Sequence, residues 1–570
     1  MDERSMRMYI EKIRNMLRSP ALADLWKWSK KCHKSIFLLC VLHIIICGCT
    51  LGITVSTRGL IDGATGHDGG QSRFYACLLI ALVLLGRFLS LVLGIRNTKT
   101  SALLLKDMRS MLLNSLLKKQ YTELKGYHSG ELVNRMFSDV NVVKNGMMEI
   151  VPGLVSMGVS FIGAAVILIA MDWRFVVVLI SGGVLGLLLM LLFRKPLKTR
   201  HMAVQESEGK LHAMLQETLE NLRLIKASGS EKRMERQADL RQQHFLEAQI
   251  KKGQFTVSMN HSINLVFQLG WLFCMLWGCF GIYKGNLTYG MLAAIIQLVG
   301  QIQGPIAGAA GVAGQIYGTI SSAERLKELM ALPEEEDLIC NDGKALYQKL
   351  TEIRLCDVDF SYGRGTELEL EKVNVTIRPG DFVAVTGISG GGKSTLFQLL
   401  LGIYQPSSGK LKFCFADGSE EEASRRTRAL FAYVPQGNTL FSGTLRENLT
   451  MFTDTATDDE IRQAAKAACI DSFVEDLEDG LDTVIGERGI GLSEGQAQRV
   501  AVARALLSGA PILLLDESTS ALDEETEARL LRNITSLKDK TCLIVTHRKA
   551  ALQICDYRIH IEHAKVSMKA

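Results

Sequence analysis

The stretch GISGGGKS, Gly387 to Ser394, has residue types and spacing suited to binding phosphate groups. It fits the pattern G-x-x-x-x-G-K-[ST], with an apolar strand (FVAVTG) before it and an apolar helical segment (TLFQLLLG) after it. Glycines allow successive backbone N–H groups to wrap around phosphate oxygens. We therefore expect Lys393 to contact the β- and γ-phosphates of a nucleotide and the Ser394 hydroxyl to bind Mg²⁺.

Two further stretches supply the groups that hydrolysis requires. In ILLLDE, Asp516 is placed to hold Mg²⁺ through water, and Glu517 is placed to orient and deprotonate the attacking water. His547 follows the apolar strand of TCLIVTH, where its imidazole can reach a γ-phosphate. Together with the phosphate loop, these residues predict a nucleoside-triphosphate hydrolase.

The segment LSEGQ, which begins at Leu492, is a second candidate for anion binding. Ser493 offers a hydroxyl and Gly495 a backbone N–H. This segment lies far along the chain from the phosphate loop, so one site would have to draw on two separate segments. Glu494, between the two, adds a negative charge that a phosphate would repel.

Long apolar runs lie before residue 320, and none of that length follows. A membrane helix needs about 20 mostly apolar residues. Six stretches meet that length, at about Ile36–Val55, Phe74–Ile95, Val151–Ala170, Phe175–Phe193, Val257–Tyr283 and Met291–Ala309. The sixth runs into GPIAGAAGVAG, whose small residues favour close helix packing or a flexible stretch.

Lysine and arginine are unevenly distributed among the linkers between these stretches. The linkers at 96–150 and 194–256 are long and rich in both residues, whereas the other linkers are short and carry few. Because positive charge favours the cytoplasmic side, we expect both termini and the two long linkers to be cytoplasmic. Helical periodicity in the long linkers predicts membrane helices that run far into the cytoplasm and turn back.

From about residue 351 apolar strands alternate with helices, which predicts an α/β domain with a largely parallel core sheet. The predicted fold class is an α-helical transmembrane domain of six helices with long cytoplasmic extensions, plus an α/β phosphate-loop domain. The predicted segments are 1–35, cytoplasmic or interfacial; 36–332, transmembrane; 333–350, linker; and 351–570, nucleotide-binding. Within the first, PALADLWKWSKK is a candidate interfacial helix.

Composition excludes several other classes of protein. A net charge of +5 is modest for 570 residues and does not favour nucleic-acid binding. The 13 cysteines include no CxxC pair, which indicates reduced thiols rather than a disulfide framework. The first 20 residues mix acids and bases and lack the apolar core of a secretory signal peptide. We expect a multi-pass protein of a bacterial plasma (inner) membrane.

The chain resembles, over nearly its whole length, the ATP-binding cassette (ABC) exporters with six membrane helices per half. The matching stretches of the soluble half are VDFSY, GISGGGKST, YVPQ, LFSGTLRENL, GERGIGLSEGQAQRVAVARAL, ILLLDESTSALD and VTH. HSGELVNRMFSDV, QETLENLRLIKASGSE and SSAERLKEL match the membrane half more loosely. The resemblance implies a membrane transporter that binds and hydrolyses ATP with Mg²⁺.

The resemblance also assigns roles to residues. Tyr362 would stack on the base, and Gln436 would sense the γ-phosphate, take part in catalysis with Glu517 and His547, and help Ser394 and Asp516 hold Mg²⁺. The ATP-binding residues that the resemblance implies, besides Tyr362, are Gly387, Ser389, Gly390, Gly391, Gly392, Lys393, Ser394, Thr395, Ser493, Gly495, Gln496 and Asp523.

In this family the segment LSGGQ meets the phosphate loop of the other nucleotide domain, which explains the two separated anion-binding segments. A chain with one membrane and one nucleotide domain is then a half-transporter, and we expect it to pair with a second half, an identical chain. The bends near Tyr121–Ser129 and Glu217–Leu224 would dock onto the nucleotide domains. ATP binding would favour an outward-facing cavity, and hydrolysis would reset it.

Glu494 departs from the family pattern, which has glycine at that position. One interpretation is that its side chain points away while Ser493 and the Gly495 N–H keep their roles, and the retained Ser493, Gly495 and Gln496 favour it. The other is a weakened site in a heterodimer.

Polar residues within the predicted membrane helices are candidates for the substrate path. These are His43, Arg87, Asn260, His261 and Asn264. Hydrogen bonding between helices or snorkelling would explain them equally well. Cys40, His43 and Cys47 share one face of the first helix, so a metal, haem or thiol site is an alternative there, although the set of ligands is not closed.

The expected function is ATP-driven export of an amphipathic peptide-like, drug-like or lipid-like molecule by alternating access. One alternative is a lipid or glycolipid flippase. Another is a regulator without transport, in which ATP binding switches a membrane partner; the complete set of Glu517 and His547 argues against it.

Overall fold

The computed structural model describes residues 20–336, 342–363, 368–453, 455–486, 491–537 and 540–569. Residues 1–19 of the predicted N-terminal segment, 337–341 of the predicted linker and 487–490 of the GERGI stretch lie outside that description. The chain divides into two compact units. The first comprises Met1–Leu116 and Ser129–Ala331, and the second comprises Leu117–His128 and Leu332–Ala570.

The first unit is helical throughout the part that the structure describes. Two π-helical turns, Arg135–Asp139 and Gly146–Ile150, interrupt its third long helical stretch. Its α-helices are α1 Pro20–Trp28, α2 His33–Thr65, α3 Gly69–Leu116, α5 Ser129–Asn134, α6 Val140–Asn145, α7 Val151–Met171, α8 Trp173–Glu220, α9 Leu222–Ala227, α10 Glu231–Tyr283 and α11 Tyr289–Met330.

The longest helices exceed what a membrane requires. Helices α3 and α8 have 48 residues each, and α10 has 53. At 1.5 Å per residue, 48 residues span about 70 Å, against about 30 Å for the hydrocarbon core of a bilayer. The short helix α9 forms the bend between α8 and α10. The predicted extension of membrane helices beyond the bilayer, followed by a turn, is confirmed.

Five helical stretches are long and apolar enough to cross a membrane among the described residues. They contain the first five predicted spans. The sixth predicted span lies on α11, which is helical but is not among the five. Its polar side chains make contacts between helices instead: Gln301 donates to the Thr54 hydroxyl at 3.0 Å, and Gln303 to the Phe267 carbonyl at 3.0 Å.

The second unit is built on a ten-stranded sheet in the order β5-β4-β1-β2-β12-β11-β3-β10-β9-β6. Strands β6, β9, β10, β3 and β11 run parallel to one another, as predicted for the core, and β12 is antiparallel to β11. Strands β1, β2, β4 and β5 form an antiparallel flank. The strands are β1 Leu350–Phe360, β2 Leu370–Ile377, β3 Phe382–Gly387, β4 Ser408–Phe415, β5 Glu420–Glu422, β6 Phe431–Val434, β7 Gly443–Thr444, β8 Val484–Ile485, β9 Ile512–Asp516, β10 Thr541–Val545, β11 Tyr557–Glu562 and β12 Lys565–Lys569.

Helices cover this sheet because its central strands are apolar on both faces. Every residue of β9 and β10 is buried. Parallel strands need such covering on both sides. The α-helices that follow the first bend in this unit are α12 Gly343–Lys349, α13 Lys393–Leu400, α14 Leu445–Thr450, α15 Asp458–Ala467, α16 Asp471–Glu475, α17 Glu494–Leu507, α18 Glu524–Thr535 and α19 Lys549–Ile554.

The first bend, which contains α4 Tyr121–Leu124, belongs to the second unit. It pairs with the chain that follows α11: Gln120 N donates to the Pro333 carbonyl at 3.1 Å, and Glu335 N to the Lys118 carbonyl at 2.8 Å. The range 36–332 predicted for the transmembrane domain therefore includes residues of the second unit, namely Leu117–His128 and Leu332.

Candidate functional site

The predicted site residues gather at one edge of the parallel sheet. Val385, Val545 and Asp516 stand in register on β3, β10 and β9. The segments that carry the predicted phosphate loop, His547 and Glu517 therefore leave the sheet side by side at its carboxyl edge, where α/β folds bind ligands. Gln436 follows β6, the next strand along.

The phosphate loop needs glycine at two positions for steric reasons. Gly387 has φ +148°, and a Cβ there would lie 2.1 Å from the Ile561 carbonyl oxygen. Gly392 has φ +95°, and a Cβ there would lie 2.8 Å from the Glu369 carbonyl oxygen. The loop then enters α13 at Lys393, so the loop leads directly into a helix N-terminus, a position suited to binding phosphate groups.

Lys393 folds back onto the loop that it follows. The residue is 6% exposed, and its ammonium donates to the carbonyls of Gly387 and Ile388, both at 2.9 Å. Ser389 and Gly390 are exposed at the tip of the loop. The ammonium thus has backbone partners that phosphate oxygens could replace.

Asp516 is a buried carboxylate at the end of β9. It is 2% exposed, the Tyr433 hydroxyl lies 3.3 Å from its Oδ2, and Ser394 also hydrogen-bonds to it. Burial raises the pKa of Asp516 above its usual value, although both hydrogen bonds act in the opposite direction. Burial of Tyr433 itself, together with the neighbouring charge of Asp516, raises the pKa of Tyr433. A cation beside Asp516 would relieve the cost of burying its charge.

Glu517 is held in an unusual backbone conformation. Its φ is +48°, which costs a residue with a side chain roughly 1–2 kcal/mol. The Gln436 amide donates to its Oε2 at 2.6 Å. Strain of this kind is retained where a side chain must be held in one direction, and here it fixes the carboxylate that directly follows β9. The sequence analysis places Gln436 and Glu517 in one catalytic group, and the structure joins them by this hydrogen bond.

His547 is exposed just beyond β10, and the structure adds Arg548 beside it. The Arg548 guanidinium donates to the carbonyls of Ser520 at 2.6 Å and Leu522 at 2.7 Å. It also pairs with Glu527, 1% exposed, at 3.0 Å. Sequence reasoning missed Arg548, although its place directly after His547 was a usable signal.

The loop ahead of α18 is held from a second side. The Asp523 carboxylate caps α18 by accepting from Thr526 N at 2.8 Å, and that bond lowers the pKa of Asp523. Gln498 on α17 accepts from Ala521 N at 3.2 Å. A Cβ at Gly495 would lie 2.9 Å from the Ala521 carbonyl oxygen, so glycine is needed for this approach.

The LSEGQ segment forms the start of α17. Ser493 and Gln496 make a capping box: the Ser493 hydroxyl accepts from Gln496 N at 3.2 Å, and the Gln496 side chain accepts from Ser493 N at 2.8 Å. Ser493 and Glu494 are exposed. In the part of the chain that the structure describes, no hydrogen bond joins this segment to the phosphate loop.

Tyr362 lies beside the first turn of α13. Its hydroxyl is 2.9 Å from Thr395 Oγ1 and donates to Gln398 at 3.3 Å. The structure thereby brings two of the predicted ATP-binding residues, Tyr362 and Thr395, into contact. Gly391 lies on the phosphate loop just before α13, and Ser394 lies in the first turn of α13.

The oxygen donors present fit a magnesium ion. Asp516 supplies a buried carboxylate and Ser394 a hydroxyl hydrogen-bonded to it. Gln436 has an amide oxygen to offer, while its amide nitrogen donates to Glu517. Mg²⁺ prefers hard oxygen ligands of this kind.

The five polar residues predicted for the substrate path lie on three helices. His43 is half-buried on α2, Arg87 is exposed on α3, and Asn260, His261 and Asn264 are exposed on α10. The described contacts do not bring these side chains together by hydrogen bonds or ion pairs. Cys47 packs against α7, where the Ser160 hydroxyl donates to its sulfur at 3.2 Å.

Comparison with known proteins agrees with this geometry. The family model for the ABC transporter transmembrane region matches residues 36–306, and the ABC transporter model matches residues 370–520. A multidrug resistance ABC transporter ATP-binding and permease protein of Lactococcus lactis is 28% identical over 513 residues, covering 88% of this chain and 84% of that protein.

A Staphylococcus aureus protein, provisionally named as a multidrug export ATP-binding/permease protein, is 30% identical over 477 residues, covering 82% of this chain and 81% of that protein. The solved structure of a bacterial Atm1-family ABC exporter with ATP bound superposes with a TM-score of 0.79 at 22% identity, over 95% of each chain. That likeness supports the fold. The chain therefore belongs to the ABC transporter family, as an exporter-type polypeptide that joins a membrane region to an ATP-hydrolysing domain.

Proposed function

We propose that the chain works as a dimer of identical half-transporters, with each ATP held between the phosphate loop of one copy and the LSEGQ segment of the other. The exposed start of α17 carries this proposal. Ser493 and Glu494 face solvent, and the described residues offer no hydrogen bond from this segment to the phosphate loop of the same chain. The N-terminus of a 14-residue helix is suited to receiving an anion from a partner.

The geometry supports a division of labour at the site. Lys393 would exchange the Gly387 and Ile388 carbonyls for phosphate oxygens, and Tyr362 would stack on the base. Glu517 would accept a proton from the attacking water, with its carboxylate oriented by Gln436. His547 would contact the γ-phosphate. Ser394, Gln436 and Asp516 would hold Mg²⁺, which neutralises charge on the phosphates.

The proposed cargo is an amphipathic drug-like, peptide-like or lipid-like molecule. The names of the Lactococcus and Staphylococcus relatives describe multidrug transport, and both alignments cover more than four fifths of each chain. His43, Arg87, Asn260, His261 and Asn264 are the proposed polar contacts along its path, because a polar side chain in a membrane helix is costly without a role.

We place the second unit and both bends on the cytoplasmic side of a bacterial inner membrane. The lysine- and arginine-rich linkers at 96–150 and 194–256 support this orientation. ATP binding would close the paired nucleotide-binding units and favour an outward-facing cavity, with the bends transmitting the change.

Transport into inverted membrane vesicles tests this function. Vesicles containing the chain should accumulate a fluorescent amphipathic drug when supplied with ATP, and cargo should stimulate phosphate release by purified protein in nanodiscs. Vesicles containing Glu517→Gln should not accumulate the drug, and cargo should not stimulate phosphate release by this variant in nanodiscs. If ATP hydrolysis moves labelled lipid between leaflets but the drug does not accumulate, the flippase alternative replaces export. If the chain binds ATP but transports neither the drug nor the lipid, it acts as a regulator.

A further inference from the structure

Tyr362 is held by contacts around its ring and at its hydroxyl. Phe360 and Tyr404 pack nearly perpendicular to it, with ring centroids 5.0 and 5.3 Å away. Its hydroxyl is fixed by Thr395 and Gln398. The residue is nevertheless 43% exposed, which leaves ring surface for stacking.

Lys125 of the first bend lies over the same ring. Its ammonium nitrogen is 3.9 Å from the Tyr362 centroid and 5.6 Å from that of Tyr404. Tyr121, from the same bend, packs edge-on against Tyr404 at 6.2 Å. A cation within about 6 Å of an aromatic face is attracted by the negative charge of that face.

The bend is anchored, so the position of Lys125 is defined by more than its own side chain. Backbone hydrogen bonds join Gln120 to Pro333 and Glu335 to Lys118. Lys119 is 5% exposed, and its ammonium donates to the Leu332 carbonyl at 2.7 Å and to Glu334 at 2.9 Å.

We infer that Lys125 is a positioning residue for the base of ATP, forming a stack in which Lys125 covers one face of Tyr362 and adenine the other. The ammonium draws π-electron density toward itself, so the opposite face repels the electron-rich base less. The stack also connects base binding to the bend between α3 and α5. This inference rests on the proposed role of Tyr362 as the base-stacking residue.

Equilibrium binding of radiolabelled ATP to the full chain in nanodiscs tests the stack, with Glu517→Gln in every protein to prevent turnover. Lys125→Met should raise the Kd for ATP about 3- to 10-fold, whereas Lys125→Arg should stay within about two-fold. Lys118→Met is the matched control, because it removes an exposed charge from the same bend. It should bind ATP like the parent protein.

Displacement by inorganic tripolyphosphate separates base positioning from attraction of the phosphates. Tripolyphosphate has no base, so its affinity should be the same for Lys125→Met and the parent. In a Tyr362→Ala background, Lys125→Met should weaken ATP binding no further. Unchanged or tighter ATP binding by Lys125→Met overturns the inference, as does an equal loss for ATP and tripolyphosphate. If Tyr362→Ala alone leaves the Kd for ATP unchanged, the assignment of Tyr362 itself fails.

Discussion

At the scale of single residues, Glu517 combines a strained backbone with a short hydrogen bond from Gln436. Replacing it with glutamine keeps the shape and removes the base. We expect Glu517→Gln to bind ATP with near-parental affinity and to lower the rate of phosphate release by about 10²- to 10⁴-fold. Binding and phosphate release are measured on the same nanodisc preparation. Phosphate release within two-fold of the parent would remove Glu517 from the catalytic assignment.

Asp516 pairs a buried charge with a proposed metal-binding role. Because burial raises the pKa of Asp516, its charged form lowers the stability of the folded state. This loss of stability is full at pH values above the raised pKa and disappears as the pH falls below the ordinary pKa of aspartate. Asp516→Asn should therefore raise the nucleotide-free melting temperature at neutral pH by about 2–4 °C.

The same variant should lose the further stabilisation that Mg²⁺ and ATP together give the parent, and its advantage without nucleotide should shrink in acid. Scanning fluorimetry between neutral and acidic pH measures both. A lower melting temperature of the free variant at neutral pH would mean that the Ser394 and Tyr433 hydrogen bonds to Asp516 outweigh the cost of its burial.

At the scale of elements, α17 carries the one departure from the family signature, Glu494. It is exposed in the first helical turn, where a carboxylate interacts favourably with the helix dipole. We expect Glu494→Gln, which removes only the charge, to leave the KM for ATP and kcat within about two-fold.

Glu494→Gly tests the family residue itself, at a helix cost of about 1 kcal/mol. If both Glu494 variants lower the KM for ATP tenfold, the carboxylate repels the nucleotide, and its side chain does not point away from the site.

The contact between α17 and the loop before α18 is predicted to position the LSEGQ segment. Gly495→Ala would place a Cβ 2.9 Å from the Ala521 carbonyl, so the segment or the loop must shift. Phosphate release should fall at least tenfold, while binding of ATP to the phosphate loop persists. Gly130→Ala is the control, since nothing lies within 4 Å of its Cβ, and it should be neutral. Full activity of Gly495→Ala would show that this approach is unimportant.

At the scale of the whole molecule, features carried by one continuous stretch of sequence can be predicted, whereas contacts between distant stretches cannot. The phosphate loop and the strand ending at Asp516 are continuous stretches, and both elements were predicted. The contact between Lys125 and Tyr362 joins residues far apart in the chain with no shared pattern. The sixth predicted span is not among the five described stretches that are apolar enough to cross a membrane, because glutamines and small residues dilute its apolar signal.

The central claim is that two copies complete each other's ATP sites. Two tagged copies can be co-expressed and the mixed dimer purified, with Lys393→Ala inactivating a phosphate loop and Ser493→Asp a signature segment. Aspartate also caps helices, so α17 should remain capped while its charge repels phosphate. The two substitutions are placed either on different copies or together on one copy.

Phosphate release by these mixed dimers distinguishes shared sites from sites within one chain. With shared sites, substitutions on different copies leave one site intact, and those dimers should hydrolyse ATP well above a Glu517→Gln blank. Substitutions on the same copy should damage both sites and reduce hydrolysis to the blank. The reverse pattern would show that each chain completes its own site and would contradict the account.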